Sequence, residues 1–388
     1  NILSFNSGTI ASLRGTHAIN TPISFTGGLN FDVADGSTIV INRAIDSASG
    51  MVKTGEGILL FSLNGYDYRG SIELREGTFA VASLGEGGTI ILNGGTVFQP
   101  LGAFSSSRPL TLQDNPTILV DGTDFALLLG DISSATGFKK EGTGTLRLGG
   151  NNSLETLELN EGTISISDGQ QMRGGTFAFK GTSTLAITED LTGNFTLAMD
   201  NGANIGTIDV ASGTIFTQMG DIVGTGDFVK QGQGVLLLAN SNNTYTGNLL
   251  IQEGALGAAS LLSGGGTITM EDFTIFAALD GLTSLNRDFV LNGNAALLVN
   301  GANTLDFGGT CTGSSGNLFK SGAGTLNLSN SGITYDGQVS VEQGVLRVLE
   351  GVSLANANIT VLTEGILTGH GAFGPVTVDG GMLAGNGA

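Results

Sequence analysis

One phrase is written four times in these 388 residues, each time around a lysine. The copies begin Met51-Val-Lys53-Thr-Gly55-Glu-Gly57, Phe138-Lys-Lys140-Glu-Gly142-Thr-Gly144, Phe228-Val-Lys230-Gln-Gly232-Gln-Gly234 and Leu318-Phe-Lys320-Ser-Gly322-Ala-Gly324. Their lysines stand 87, 90 and 90 residues apart. A long fixed period marks a supersecondary unit that cannot bury its apolar face alone and must stack on its neighbours. The repeat therefore predicts a solenoid.

Each copy continues alike after its paired glycines. The first runs through Tyr68-Arg-Gly70 to Ile72-Glu-Leu74 and Thr78-Phe79-Ala-Val81, the third through Tyr245-Thr-Gly247 to Leu256, the fourth through Tyr335-Asp-Gly337 to Val348. The second lacks the Tyr-x-Gly step but recovers Leu157-Glu-Leu159 and Thr163-Ile164-Ser-Ile166. Apolar and polar residues alternate with period two, the pattern of strands with one buried face. No comparable helical period runs over ten residues; the short stretch 258–262 is the one exception worth noting. Neither a linker nor a shift in composition divides the chain. The expected organisation is a single domain, 1–388, of four modules of about 90 residues. Their cores lie at 51–81, 138–166, 228–256 and 318–348.

Corner chemistry accounts for the 65 glycines. A chain that turns every few residues needs positive φ at its corners, which glycine accepts most cheaply. Stacked coils of short strands then satisfy backbone groups between neighbouring coils, and Leu, Ile, Val and Phe fill the interior in columns. Twenty phenylalanines and no tryptophan suit such a core, since Phe brings no buried donor. At roughly 20–25 residues per coil and ~4.8 Å between coils, the expected rod has about 16–19 coils and a length of roughly 80–90 Å. The fold class expected is all-β, a right-handed parallel β-helix.

Charge and cysteine content narrow the partners. The net charge of −19 repels phosphate backbones and anionic lipid heads, so nucleic acid is not expected as a partner. Cys311 is the sole cysteine, which leaves no internal disulfide and predicts a small, inert side chain. The opening residues carry no basic start and apolar core of a signal peptide.

Lys-x-Gly-x-Gly-Thr-Leu-x-Leu, then Asn-x-Tyr-x-Gly, then Val-x-x-Gly-x-Leu, resembles the passenger-associated transport repeat of Gram-negative autotransporters. Residues 320–348 fit it best and 230–256 nearly as well; 53–81 carries Ile58 and Leu59 in place of Thr-Leu. The tail from Gly365 to Gly385 resembles the segment that follows the last repeat in such passengers. The resemblance implies a β-helix exported by a C-terminal β-barrel, which this sequence does not contain, and then displayed on the cell surface or released. It also implies adhesion to a host-cell surface protein or glycan, self-association, or service as a stalk. The repeat's own lysines, paired glycines and Tyr245-x-Gly247 and Tyr335-x-Gly337 are expected to be structural.

Catalytic chemistry is scarce. The carboxylates Asp32, Asp35 and Asp46, or Glu271 and Asp272, are the candidates for glycan cleavage, read here as lacking an arginine or an aromatic wall. His17 and His370 stand far apart in sequence and outside any serine-nucleophile motif. Gly142-Thr-Gly144 and its copies lead into strands, so no helix N-terminus awaits a phosphate. The expectation is a non-enzymatic protein without cofactor or metal. The alternatives are a glycan-degrading or peptidase activity on a β-helix scaffold, or a subunit of a surface fibre or coat. The tyrosines are expected to be packing posts of the module rather than a carbohydrate ladder.

Overall fold

The computed structural model describes residues 2–64, 66, 68–167, 174–200, 202–261 and 265–385. Among them every named strand pair is parallel and no helix occurs. The chain is a parallel β-solenoid of about 17 turns. It divides into two compact units, Asn1–Ala186 with Asn194–Thr196, and Ile187–Gly193 with Leu197–Ala388. The expected 258–262 exception is not helical where described: Ala258 ends the strand Ala255–Ala258, and Leu262 lies outside the described residues.

In the first unit, one sheet stacks the strands Gly8–Ser12, Leu29–Val33, Met51–Thr54, Ile72–Leu74, Ile90–Leu92, Leu110–Leu112 and Ile132–Ser134 in chain order. Register sets Phe31, Lys53, Leu74, Leu92 and Leu112 in one inward column. A neighbouring sheet forms the column Ile39, Leu59, Phe79, Phe98, Ile118, Lys140 and Leu159. Phe61 and Phe79 meet edge to face at 5.0 Å within this core.

The second unit repeats the scheme. Ile208, Lys230, Ile251, Met270 and Leu291 share one column, and Leu297, Lys320, Val341 and Val361 share another. Phe289 stacks on Phe307 at 5.0 Å. Full burial of each such side chain stabilises by about 1.5–3 kcal/mol relative to exposure. All four lysines thus occupy core positions, where the period-two pattern puts a hydrophobe in every neighbouring coil.

The module is not a whole number of coils. Successive partners in the first column, Lys53, Leu74, Leu92, Leu112 and Ser134, come round in four coils, yet Lys140 lies six residues further on. In the first unit Lys53 and Lys140 therefore sit on different sheets, as do Lys230 and Lys320 in the second.

Candidate functional site

The four lysine turns are built alike. Each lysine is 0–1% exposed and sends its stem inward below the turn that follows it. Lys140 Nζ donates to the carbonyls of Glu141 at 2.9 Å, Gly142 at 2.6 Å and, one coil later, Glu161 at 3.2 Å. Lys230 makes the same bonds to Gln231, Gly232 and Glu253, and Lys320 to Ser321, Gly322 and Gln343. Lys53 reaches Thr54, Gly55 and Glu76. An ammonium has three donors, and here all three are used. The lysine is an internal plug that ties its turn to the next coil.

The glycines follow from this geometry. Gly55, Gly142, Gly232 and Gly322 have φ of 72°, 77°, 76° and 79°, so their carbonyls can turn inward onto the ammonium. At the second position, Gly57, Gly144, Gly234 and Gly324 donate to the carbonyls of Val33, Val120, Val210 and Val299 one coil earlier. A side chain there would strike that earlier backbone.

Carboxylates surround three of the lysines. Asp32, Glu56 and Glu76 act on Lys53, Asp121, Glu141 and Glu161 on Lys140, and Asp209 and Glu253 on Lys230. Asn300 and Gln343 replace the corresponding acids at Lys320, where only burial acts. Burial pushes all four lysines down from 10.5 to about 8, against the pull of the acids where these exist. Unfolded lysine keeps its proton up to the ordinary value, so between pH 8 and 10.5 the unfolded chain binds more protons than the folded one. The lysines therefore contribute stability that rises with pH across this window. Cys311, pushed up from 9 to about 12, and the buried Tyr68, Tyr245 and Tyr335, pushed up from 10, oppose the rise as they titrate in the unfolded chain, so the net gain belongs to the lower part of the window. Urea unfolding at pH 7.5, 8.5 and 9.0 is expected to show a climbing midpoint. A flat or falling midpoint would contradict the lysine assignment.

Tyr68, Tyr245 and Tyr335 are buried, so they cannot form an exposed ladder for sugars. The Tyr68 hydroxyl donates to the carbonyls of Ser49 at 2.7 Å and Ser71 at 3.1 Å, and the Tyr335 hydroxyl to Gly316 at 3.0 Å. The glycine two residues on leaves room for this phenol: a side chain at Gly70, Gly247 or Gly337 would overlap the tyrosine oxygen. In the second copy Leu154 takes the tyrosine's place, and Asn152 is kept, accepting from the Ile132 backbone N–H at 2.9 Å.

Two arginines complete the step and were not anticipated. Arg108 lies 5.6 Å over the Tyr68 ring, and Arg287 5.4 Å over Tyr245. They follow their tyrosines by 40 and 42 residues, two coils on, where no motif links the pair.

Of the sequence-expected acids only Glu271 and Asp272 line a common groove, with Glu253. Asp35 and Asp46 are exposed, and Asp32 accepts from Thr54 Oγ1 at 3.2 Å beneath the first lysine turn. Glu271 and Asp272 correct the reading above: they do have an aromatic beside them, the exposed Phe273. His17 and His370 are exposed, and His17 Nε2 lies 2.7 Å from the Arg14 carbonyl oxygen. Among the described residues no group of His, Cys, Asp and Glu could hold a metal ion.

Comparison with known proteins explains the lysine turns. The passenger-associated transport repeat family matches residues 51–81, 138–169, 228–258 and 318–348, the four segments that carry them. The chain carries the repeats of an autotransporter passenger domain. It is 27% identical over 401 aligned positions to the adhesin BmaC autotransporter of Brucella suis biovar 1 (strain 1330), covering 94% of this chain and 11% of that protein. It is 28% identical over 238 positions to the probable autotransporter YfaL of Escherichia coli (strain K12), covering 54% of this chain and 17% of that protein. The chain thus spans a small fraction of these relatives. No solved structure matches it. An autotransporter passenger stands at the surface of a Gram-negative cell or is released from it.

Proposed function

We propose that this segment is a non-enzymatic adhesive part of its passenger, binding a host-cell surface protein or glycan or a second passenger. The observation that carries the reading is the similarity to a protein named an adhesin over 94% of this chain. The four repeat turns agree with it in character. Their polar groups are spent on each other inside the coil, so the repeated chemistry of the motif builds scaffold and leaves contact to the outer faces. Binding would then add many weak outer contacts along the coils, as multivalent surfaces do.

The test is an adhesion and clumping assay with cells displaying this segment and cells lacking it. Adhesion or clumping gained with the segment is the expected result. Equal behaviour of both cell types would overturn the adhesive reading, and turnover of casein or a glycan by the purified chain, lost with one carboxylate, would replace it with an enzymatic one.

A further inference from the structure

Phe273 stands against every local rule of this fold. Four-residue turns at 34–37, 93–96, 211–214 and 349–352 close their coils with glycine at the third place: Gly36, Gly95, Gly213 and Gly351, with φ of 67°, 76°, 77° and 84°. Beyond each of these glycines lies open space. The turn at 271–274 shares a side-chain closure with the second of them: Thr274 Oγ1 donates to the Glu271 carbonyl as Thr96 Oγ1 does to Asn93. Its third place holds Phe273 at φ 60°, a conformation that bulky residues rarely adopt. The ring is 77% exposed, so burial does not compensate the strain. Nothing inside the fold asks for this side chain.

The ring stands between two open grooves. One, of about 470 Å³, is lined by Gln233, Gln252, Glu253, Glu271 and Asp272 beside it. The other, of about 300 Å³, is lined by Ile275, Ala296 and Phe319, with Glu342 at its edge. Register extends that apolar side into a row of outward side chains, Ile215, Val235, Ala255, Ile275, Ala296 and Phe319, with no charge among them. Neither groove is lined by a lysine or arginine. Glu271 accepts from Asn292 Nδ2 at 2.9 Å and Asp272 from Asn294 Nδ2 at 2.9 Å, which holds both carboxylates in place and leaves further acceptor capacity.

We propose that the Phe273 ridge docks a basic segment of a partner protein, with an aliphatic or aromatic side chain against Phe273 and Ile275 and an arginine or lysine at Glu253, Glu271 and Asp272. Charge complementarity selects this occupant: a second copy of this chain would bring its own net charge of −19 to the same carboxylates. An exposed ring beside carboxylates also suits a guanidinium, which the face of an aromatic attracts. The inference deepens the adhesive reading and rests on it for its biological setting, while its test does not require adhesion.

The probes are labelled 12-residue peptides alternating Arg with Leu, Arg with Ser, and Glu with Leu, titrated into the full 388-residue chain and its variants. The Arg/Leu peptide is expected to bind, with affinity falling about tenfold or more in Phe273→Gly and again in Glu271→Gln/Asp272→Asn. The Arg/Ser peptide reports diffuse attraction to the acidic chain and should not respond to Phe273→Gly. The unfolding midpoint of Phe273→Gly should stay or rise, since glycine relieves the turn. Unchanged Arg/Leu affinity in Phe273→Gly would overturn the proposal, and so would a lowered midpoint, which would make the ring structural. Binding of a glycan panel that depends on Phe273 without any Arg/Leu binding would also overturn it. Adhesion together with Phe273-independent peptide binding would remove this site and leave the adhesive reading standing; absent adhesion with Phe273-dependent peptide binding would do the reverse.

Discussion

Lys140→Met is expected to destabilise the chain by about 3–5 kcal/mol, one of the largest losses any single substitution here can cause. Methionine fills the stem's volume but leaves the carbonyls of Glu141, Gly142 and Glu161 without the donor they face. Each buried acceptor stranded in this way costs roughly 1–3 kcal/mol. Relief from burying an ammonium offsets part of that sum. At Lys140 the three acids Asp121, Glu141 and Glu161 would in addition be left clustered around a neutral side chain. Burial holds both ammoniums down to about 8, so Lys320→Met should cost less only by the carboxylate cluster it does not leave behind, about 1 kcal/mol or below. Urea unfolding of both variants, followed by the far-ultraviolet signal of the strands, orders them. Equal losses would mean that the surrounding acids do not matter, and losses below about 1 kcal/mol would mean that the carbonyl bonds contribute little.

The strands and their stacking were legible in the sequence because period-two alternation and corner glycines act locally. The four lysines were legible too, but as a pattern without a cause. Spacing cannot tell that Lys53 shares a column with Phe31 and Leu74, because that depends on which residues meet across coils. Nor does a 90-residue period reveal that each module ends six residues past a closed coil, so that Lys140 sits on a different sheet from Lys53. The Tyr-x-Gly step was read as packing, and its glycine is explained only once the phenol is seen to pass over it. Phe273 was hidden for a different reason. A lone Phe after two acids looks like the start of the strand Thr274–Ala278, and only the sign of its φ sets it apart.

The arginines were the hardest to foresee, and they carry the second large effect. Arg108→Met is expected to cost about 3–5 kcal/mol, because its guanidinium donates to carbonyls of two earlier coils at once. Nε reaches Gly85 at 2.7 Å, Nη1 reaches Gly70 at 3.0 Å, and Nη2 reaches Tyr68, whose ring lies below the same group. Methionine keeps much of the apolar stem contact and loses every one of these bonds. Arg287 offers an internal comparison. Its Nε and Nη2 donate to Gly266 and Gly247 in the same manner and the guanidinium also bonds the Tyr245 side chain, but its buried Nη1 has no hydrogen-bond partner among the described residues. A buried donor without a partner is itself costly, so removing Arg287 sheds a penalty that removing Arg108 does not. Arg287→Met should therefore destabilise by about 1–3 kcal/mol less than Arg108→Met. Lysine at either site cannot span the carbonyls as the planar fork does, and Arg108→Lys is expected to recover less than half of the loss. Protease resistance of the two units gives an independent reading, with Arg108→Met exposing the first and Arg287→Met the second. Near-equal losses at the two sites would show that Nη1 of Arg287 is satisfied in solution, and would remove the basis for ranking them.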